Sequence, residues 1–402
     1  MDRISIRYLT VLLGVVTLAC SQTPAPTAPG QSPRAAAEPI VPYEAIDLGT
    51  LDGMVSAQAT AINDIGQVVG WSENGGPAHA FLWQDGVMRD LGTLGGAYSR
   101  PTDINGLGQV VGQSTTAEGR WHPFLWSGGT MTDLHPGAPN FNESVSPRIN
   151  NSGQVIWSDY PVGVSDTRDR PHPFLWSNGV LTDLLGRAGG ALDINDRGQI
   201  VGSTTADGLA YVWQNGTLQF LPSLGGSARA YGINNRGQII GSSQASPTIG
   251  HAVMWEDGRI NDLGVLPGDS LSTSGAITPS GLVVGLSLND IYAGGHPFHW
   301  RRGVLSPASP TFETDPLLVS ITGVNARGTV AGIRNGGREA VVVEDGVTWV
   351  LPELAGAVAT RANGINARGD VVGFVYMDNF ATQRAVLWRR ITPATAAVLP
   401  SP

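Results

Sequence analysis

From residue 43 onward the chain reads as short apolar runs, each cut off after five or six positions by glycine, asparagine or aspartate. Runs of that length, rich in β-branched and aromatic residues, predict strands rather than helices. They recur in a fixed order. The string AINDIGQVVG at 61–70 returns as DINGLGQVVG, RINNSGQVIW, DINDRGQIVG, GINNRGQIIG, AITPSGLVVG, GVNARGTVAG and GINARGDVVG. Its anchors are Asn63, Asn105, Asn150, Asn195, Asn234, Thr278, Asn325 and Asn366, between 39 and 47 residues apart. A second string, HAFLWQDG at 79–86, follows each first one, with tryptophans at 83, 126, 176, 213, 255, 300 and 388 and Val343 in the seventh repeat. A third, MRDLGTLGG, follows the second and decays in the later repeats.

Asn-x-x-Gly between two β-prone runs predicts one tight turn, and the glycine three places after the tryptophan position of the first seven repeats (Gly86 to Gly346) a second. With Val-Val-Gly, His-Ala-Phe-Leu-Trp and Leu-Gly-Thr-Leu as strands, each unit holds four, as a propeller blade does. The chain enters at 43 with YEAIDLGTL, a copy of the fourth strand with no unit before it. It leaves after Trp388 with three good strands and only a weak fourth, ITPATAAVLP. The leading strand can therefore complete the last blade and remove an open sheet edge. The expectation is an all-β propeller over 43–398, of eight four-stranded blades. Seven is the alternative, because the sixth repeat shows no fourth strand around Ser306–Pro316. An open solenoid would need no such complementary ends.

Composition agrees. Of 402 residues 54 are Gly and 27 Pro, yet 41% are hydrophobic, which suits a folded, turn-rich chain. All 24 basic residues are Arg, which removes lysine nucleophiles and the P-loop lysine from consideration. A net charge of −9 without a basic run argues against nucleic acid or an anionic membrane surface as partner.

The first residues read as an address. A charged head (Asp2, Arg3, Arg7) precedes an apolar run from Tyr8 to Leu18, too short to span a bilayer. It ends in Thr17-Leu18-Ala19-Cys20, and Cys20 is the only cysteine. This resembles a bacterial lipobox, with Thr17 departing from the usual leucine. The resemblance implies a signal peptide over 1–19, acylation of Cys20 and, with Ser21 following, an outer-membrane or cell-surface anchor. A plain secretory signal, giving a periplasmic or secreted protein, is the alternative. Residues 20–42, with six prolines from Pro24 to Pro42, predict a stiff tether.

The three ordered strings resemble the HAF-repeat family of bacterial extracellular proteins, named for the motif seen here as His79-Ala80-Phe81. The resemblance covers 43 to about 392 and implies export and a repetitive β architecture; it brings no activity or catalytic set.

Five histidines, His79, His122, His172, His251 and His296, share one motif position on different blades, so they cannot converge on one metal ion. A structural role beside a neighbouring turn is expected. Asp64, Asp193 and Asp196 supply too few carboxylates per turn for a calcium loop and read as turn formers. No nucleophile elbow or zincin pair occurs, and no cofactor is implied. The variable connections between second and third strands hold the candidate binding residues Trp71, Trp121, Trp157, Tyr160, Tyr292 and Tyr376, together with Phe374, Phe380, Arg120, Arg168, Arg170, Arg334 and Arg338. Five places before the anchors, at the channel mouth, lie Gln58, Arg100, Arg229 and Arg361. The leading expectation is a monomeric envelope or extracellular binding module for a protein or glycan. Alternatives are a propeller lyase or glycan hydrolase using Arg100, Arg229, Arg361 and Glu143, and a purely structural repeat protein.

Overall fold

A computed structural model describes residues 41–136, 146–159, 171–246, 249–289, 295–308 and 318–391. The signal segment, Cys20, the tether, Glu143, Tyr160, Arg168, Arg170, Tyr292 and the final ten or so residues lie outside them.

Each of the first seven repeats forms one four-stranded antiparallel meander, and the eighth three strands of a like sheet. In the first, Ser56–Ile62, Val68–Glu73, Ala78–Gln84 and Val87–Asp90 pair in sequence order. Six such sheets stand separately among the described residues, and an eight-stranded sheet is two more, joined by one parallel pairing of Ala78 with Tyr98. The sixth repeat does have a fourth strand, Val304–Pro307. The only helical segments described are two single 3-10 turns, Asn335–Gly337 and Asp378–Phe380. The protein is an all-β propeller.

In the first seven repeats the turn after the tryptophan position needs two consecutive residues with positive φ, as at Asp85 (50°) and Gly86 (88°). That is a type I′ hairpin, whose twist matches the strands it joins. The glycine of Val-Val-Gly serves a different need. A Cβ on Gly70 would lie 2.0 Å from the Gln58 carbonyl oxygen and 2.5 Å from the Phe81 ring, so the position is fixed by close packing.

Closure uses the leading strand. Tyr43–Asp47 pairs antiparallel with Thr382–Arg390, from Tyr43 opposite Arg390 to Asp47 opposite Val386, and completes the sheet of the eighth repeat.

The first strand of each repeat is the inner edge of its sheet, and the anchor asparagines tie these edges into a ring. The Asn105 amide nitrogen donates to Gln109 Oε1 (2.8 Å) and to the Asn150 carbonyl of the next repeat (3.1 Å). Its Oδ1 accepts from the Leu107 and Gln109 amides, both at 3.0 Å. The link between repeats recurs from Asn63 to Asn105, Asn150 to Asn195, Asn195 to Asn234 and Asn234 to Thr278. It also runs from Asn366 back to Asn63. Thr278 has no amide to continue it, and Asn325 Nδ2 is buried without a partner.

The core lies between neighbouring sheets. Leu82 and Val69 of the first repeat, for example, pack with Val110, Phe124 and Trp126 of the second. Trp255 and Trp388, each under 2% exposed, donate their indole N–H to the carbonyls of Pro222 and Pro352 in the preceding repeats, both at 2.7 Å. Burying such rings supplies large apolar area while keeping the polar edge satisfied.

Candidate binding arc at the channel mouth

The second-to-third-strand loops and the inner-strand starts meet on one face, and there the described candidates form an arc rather than scattered points. In the eighth repeat Phe374 meets Tyr376 edge-on (5.2 Å) and Tyr376 meets Phe380 (5.0 Å). The Arg361 guanidinium lies over the Tyr376 ring at 5.9 Å, and Arg338 of the seventh repeat over Phe380 at 5.7 Å. Tyr376 stands opposite Gln383, whose side chain is hydrogen-bonded to Gln58 of the first repeat. Gln58 in turn stands opposite Trp71, and Arg100 of the second repeat covers the Trp71 ring at 4.9 Å. Tyr98 and Trp121 follow at 5.9 Å. Trp71, Trp121, Tyr376, Arg100 and Arg361 are half-buried, and Phe380 is 48% exposed. The Nε atoms of Arg100 and Arg361 are buried without hydrogen-bond partners, as stacking over a ring rather than end-on pairing leaves them.

Other candidates fall elsewhere. Trp157 is only 1% exposed, stacked on Phe174 at 5.9 Å and beside His135 at 6.0 Å, so it is core and cannot touch a ligand. It replaces the Val-Val-Gly glycine in a repeat whose first strand, Arg148–Ile149, is two residues long. Arg334 is engaged with Glu339 at 2.9 Å. Arg229 is exposed on the fifth repeat, three repeats away from both Arg361 and Arg100. The inner-strand positions five before the anchors place no carboxylate beside these arginines among the described residues: they are Gln58, Arg100, Gly190, Arg229, Thr273, Ser320 and Arg361. The acid–base pair an enzyme would need is not assembled at those positions.

Four of the motif histidines bond the aspartate eleven residues on, in the fourth strand of the same repeat: His79–Asp90 (2.8 Å), His122–Asp133 (2.8 Å), His172–Asp183 (2.7 Å) and His251–Asp262 (2.9 Å). Asp90 Oδ1 then accepts the Gly92 amide at 2.7 Å, so each histidine braces a turn through the aspartate. In the sixth repeat the fourth strand has no aspartate, and His296 pairs with Asp269 at 3.0 Å.

The turn aspartates act between repeats. Asp64 Oδ1 accepts the Ala367 amide (2.8 Å), closing the ring a second time, and Asp196 accepts the Asn151 amide (2.9 Å). Two positions before the anchor, after a β-bulge, the inner strand itself carries Asp193, which the sequence suggested as a turn former, and Asp103, which it did not single out. Asp103 Oδ2 accepts the Ile149 amide and Asp193 Oδ2 the Ile233 amide, with Arg148 on the repeat between them. Desolvation pushes Asp193 up to about 6 and raises Asp103, against the pull of backbone amides and Arg148. The only signal was the alternation Asp, Arg, Asp at one repeat position where the other repeats carry Ala or Gly. Beyond these lies a cavity of about 380 Å³ ringed by isoleucines of the first six repeats and anchor asparagines of the first five.

No protein-family model and no curated protein matches the chain. Solved structures similar to it include oligogalacturonate lyase from Vibrio parahaemolyticus (9% identity, 87% of this chain, 94% of that one, TM-score 0.49). Virginiamycin B lyase from Staphylococcus aureus (9%, 86% and 99%, 0.46) and YCF48 bound to a peptide (13%, 74% and 95%, 0.43) are similar too. At these scores the likenesses carry no argument, and the fold rests on the strand topology above.

Proposed function

We propose that the chain is an exported binding module of the HAF-repeat kind, anchored through Cys20 and presenting its loop face to a protein or glycan of the cell surface. The observation that carries this reading is the arc from Arg338 through Phe380, Tyr376 and Arg361 to Trp71 and Arg100. It crosses the closure of the ring, where eighth and first repeats meet. Half-exposed rings bracketed by guanidinium planes combine apolar area with fixed donors, the composition of interface cores and of surfaces that stack on sugar faces.

The test is a glycan array and an envelope pull-down with the mature chain. Capture on one of them is expected, reduced at least tenfold by Trp71→Ala and by Tyr376→Ala and unchanged by Arg229→Ala, which is outside the arc. Capture that ignores both aromatic substitutions, or none on either, rejects the reading. Metabolic labelling with a fatty acid, lost in Cys20→Ser, checks the anchor.

A further inference from the structure

Repeats report on themselves: where one departs from the others at a packed position, the departure needs a reason. At the second-last place of the HAFLW string the repeats carry Leu82, Leu125, Leu175, Val212, Met254, Val342 and Leu387, but the sixth carries His299. At the residue just past the fourth strand they carry leucine, but the sixth carries Ala308. At the motif tryptophan the seventh carries Val343. Four places after the anchor the first five repeats have glutamine, the sixth Leu282 and the seventh Thr329.

These departures meet at one place. Between sixth and seventh sheets, on the face opposite the arc, lies a cavity of about 540 Å³ whose wall includes His299, Ala308, Leu282 and Thr329. Ala308 and Val343 pack together in a core cluster of only four buried residues. A leucine and a tryptophan have been traded for smaller groups, which leaves room, and a polar ring has entered an apolar interface. His299 Nε2 is buried there with no hydrogen-bond partner. An unpaired buried ring nitrogen is costly, and a ligand atom bonded to it would remove that cost.

The charges around the cavity are sorted. Arg301, Arg327 and Arg390 line it against Glu344 and Asp345. Glu344 is occupied, accepting from Arg390 Nη2 at 2.8 Å and from Thr329 Oγ1 at 3.1 Å. Arg327 Nη2 donates to the Ala367 and Arg368 carbonyls, both at 3.2 Å, which fixes its plane and leaves its other N–H groups for a further acceptor. With Arg390 neutralised by Glu344, Arg301 and Arg327 against Asp345 leave one net positive charge on this wall, a place for negative charge in a chain of net charge −9.

We infer that this cavity is a binding site for a compact anion, a carboxylate or phosphate group, held by Arg301 and Arg327 and hydrogen-bonded by His299. It stands independently of the loop-face reading and uses none of its residues. Burial lowers the His299 pKa and so favours the neutral ring, which offers one N–H.

The experiment titrates the intact mature protein with inorganic phosphate and, separately, with acetate, following the His299 ring nitrogens by NMR together with thermal stability. Saturable shifts and a rise in Tm are expected with at least one of the two; whichever binds identifies the anion. His299→Leu restores the residue type of the other repeats, so it folds and is expected to weaken binding at least tenfold, as does Arg301→Gln. Trp71→Ala leaves it unchanged. No saturable shift with either anion, or equal affinity in His299→Leu, overturns the inference.

Discussion

A buried side chain that makes four hydrogen bonds is the smallest unit of this fold. Asn195 gives its amide to Gln199 Oε1 and the Asn234 carbonyl, and its Oδ1 takes the Arg197 and Gln199 amides. Asn195→Ala orphans two acceptors and two donors in a site only 4% exposed, so about 3 kcal/mol of stability should be lost. Urea unfolding checks this. Asp193 behaves differently, because its two amide bonds do not offset its desolvation. A carboxyl whose pKa rises on folding, here from 3.8 to about 6, holds its proton more tightly in the native state. Its contribution is therefore full below about pH 4 and gone above about pH 6. Wild type minus Asp193→Asn should thus lose on the order of 1–3 kcal/mol of relative stability as pH climbs from 4 to 7. Parallel pH profiles for the two proteins would show that Asp193 titrates as it does in the unfolded chain.

Within one blade the repeat pattern acts as its own control, and the gap in the asparagine ring shows how. Gln238 accepts from Asn234 Nδ2 at 2.7 Å and donates to Glu256 Oε1 at 2.7 Å. In the seventh repeat Thr329 reaches the matching Glu344, but Asn325 Nδ2 goes without. Thr329→Gln should rebuild the bridge and raise stability by about 1 kcal/mol, measured as an increase in the denaturation midpoint at constant m. The same comparison explains what the sequence made legible. Blade, turns and closure were readable because positive-φ positions and close approaches accept few residues, so they recur as Gly86 and Gly70 do. The arc was legible only as a collection of residue types. Trp71 and Arg100, or Gln58 and Gln383, 325 positions apart, become neighbours through register across the ring, which local pattern does not encode. Trp157 misled for the same reason: it stands at a loop-side position, and its burial depends on Phe174 of the next strand and His135 from the preceding repeat.

At the scale of the molecule the ring must be closed by something weaker than a covalent bond, and the leading strand supplies it. Tyr43, 4% exposed, packs with Trp388 in the core of the eighth sheet, and Leu48 lies in the cluster shared with the first repeat. Removing residues up to Asp47 would strip five paired residues from Thr382–Arg390 and bare an edge strand, which invites pairing with a second chain. Such a truncation should lower Tm by more than about 10 °C and make it concentration-dependent. The order of the strands in the chain should matter far less. The Ile391 amide donates to the Pro42 carbonyl at 2.8 Å, so a short loop can join these ends. New termini can open in the exposed turn between Glu118 and Gly119. This permuted chain keeps every ladder and should melt within a few degrees of the parent. If the truncated and permuted chains melted alike, the leading strand would be an ornament on a ring held by its asparagines; if only the truncation fails, the strand is the lock. The arc of Arg361, Tyr376, Gln58 and Trp71 straddles that same junction, so the truncation should also abolish loop-face binding while the permutant retains it.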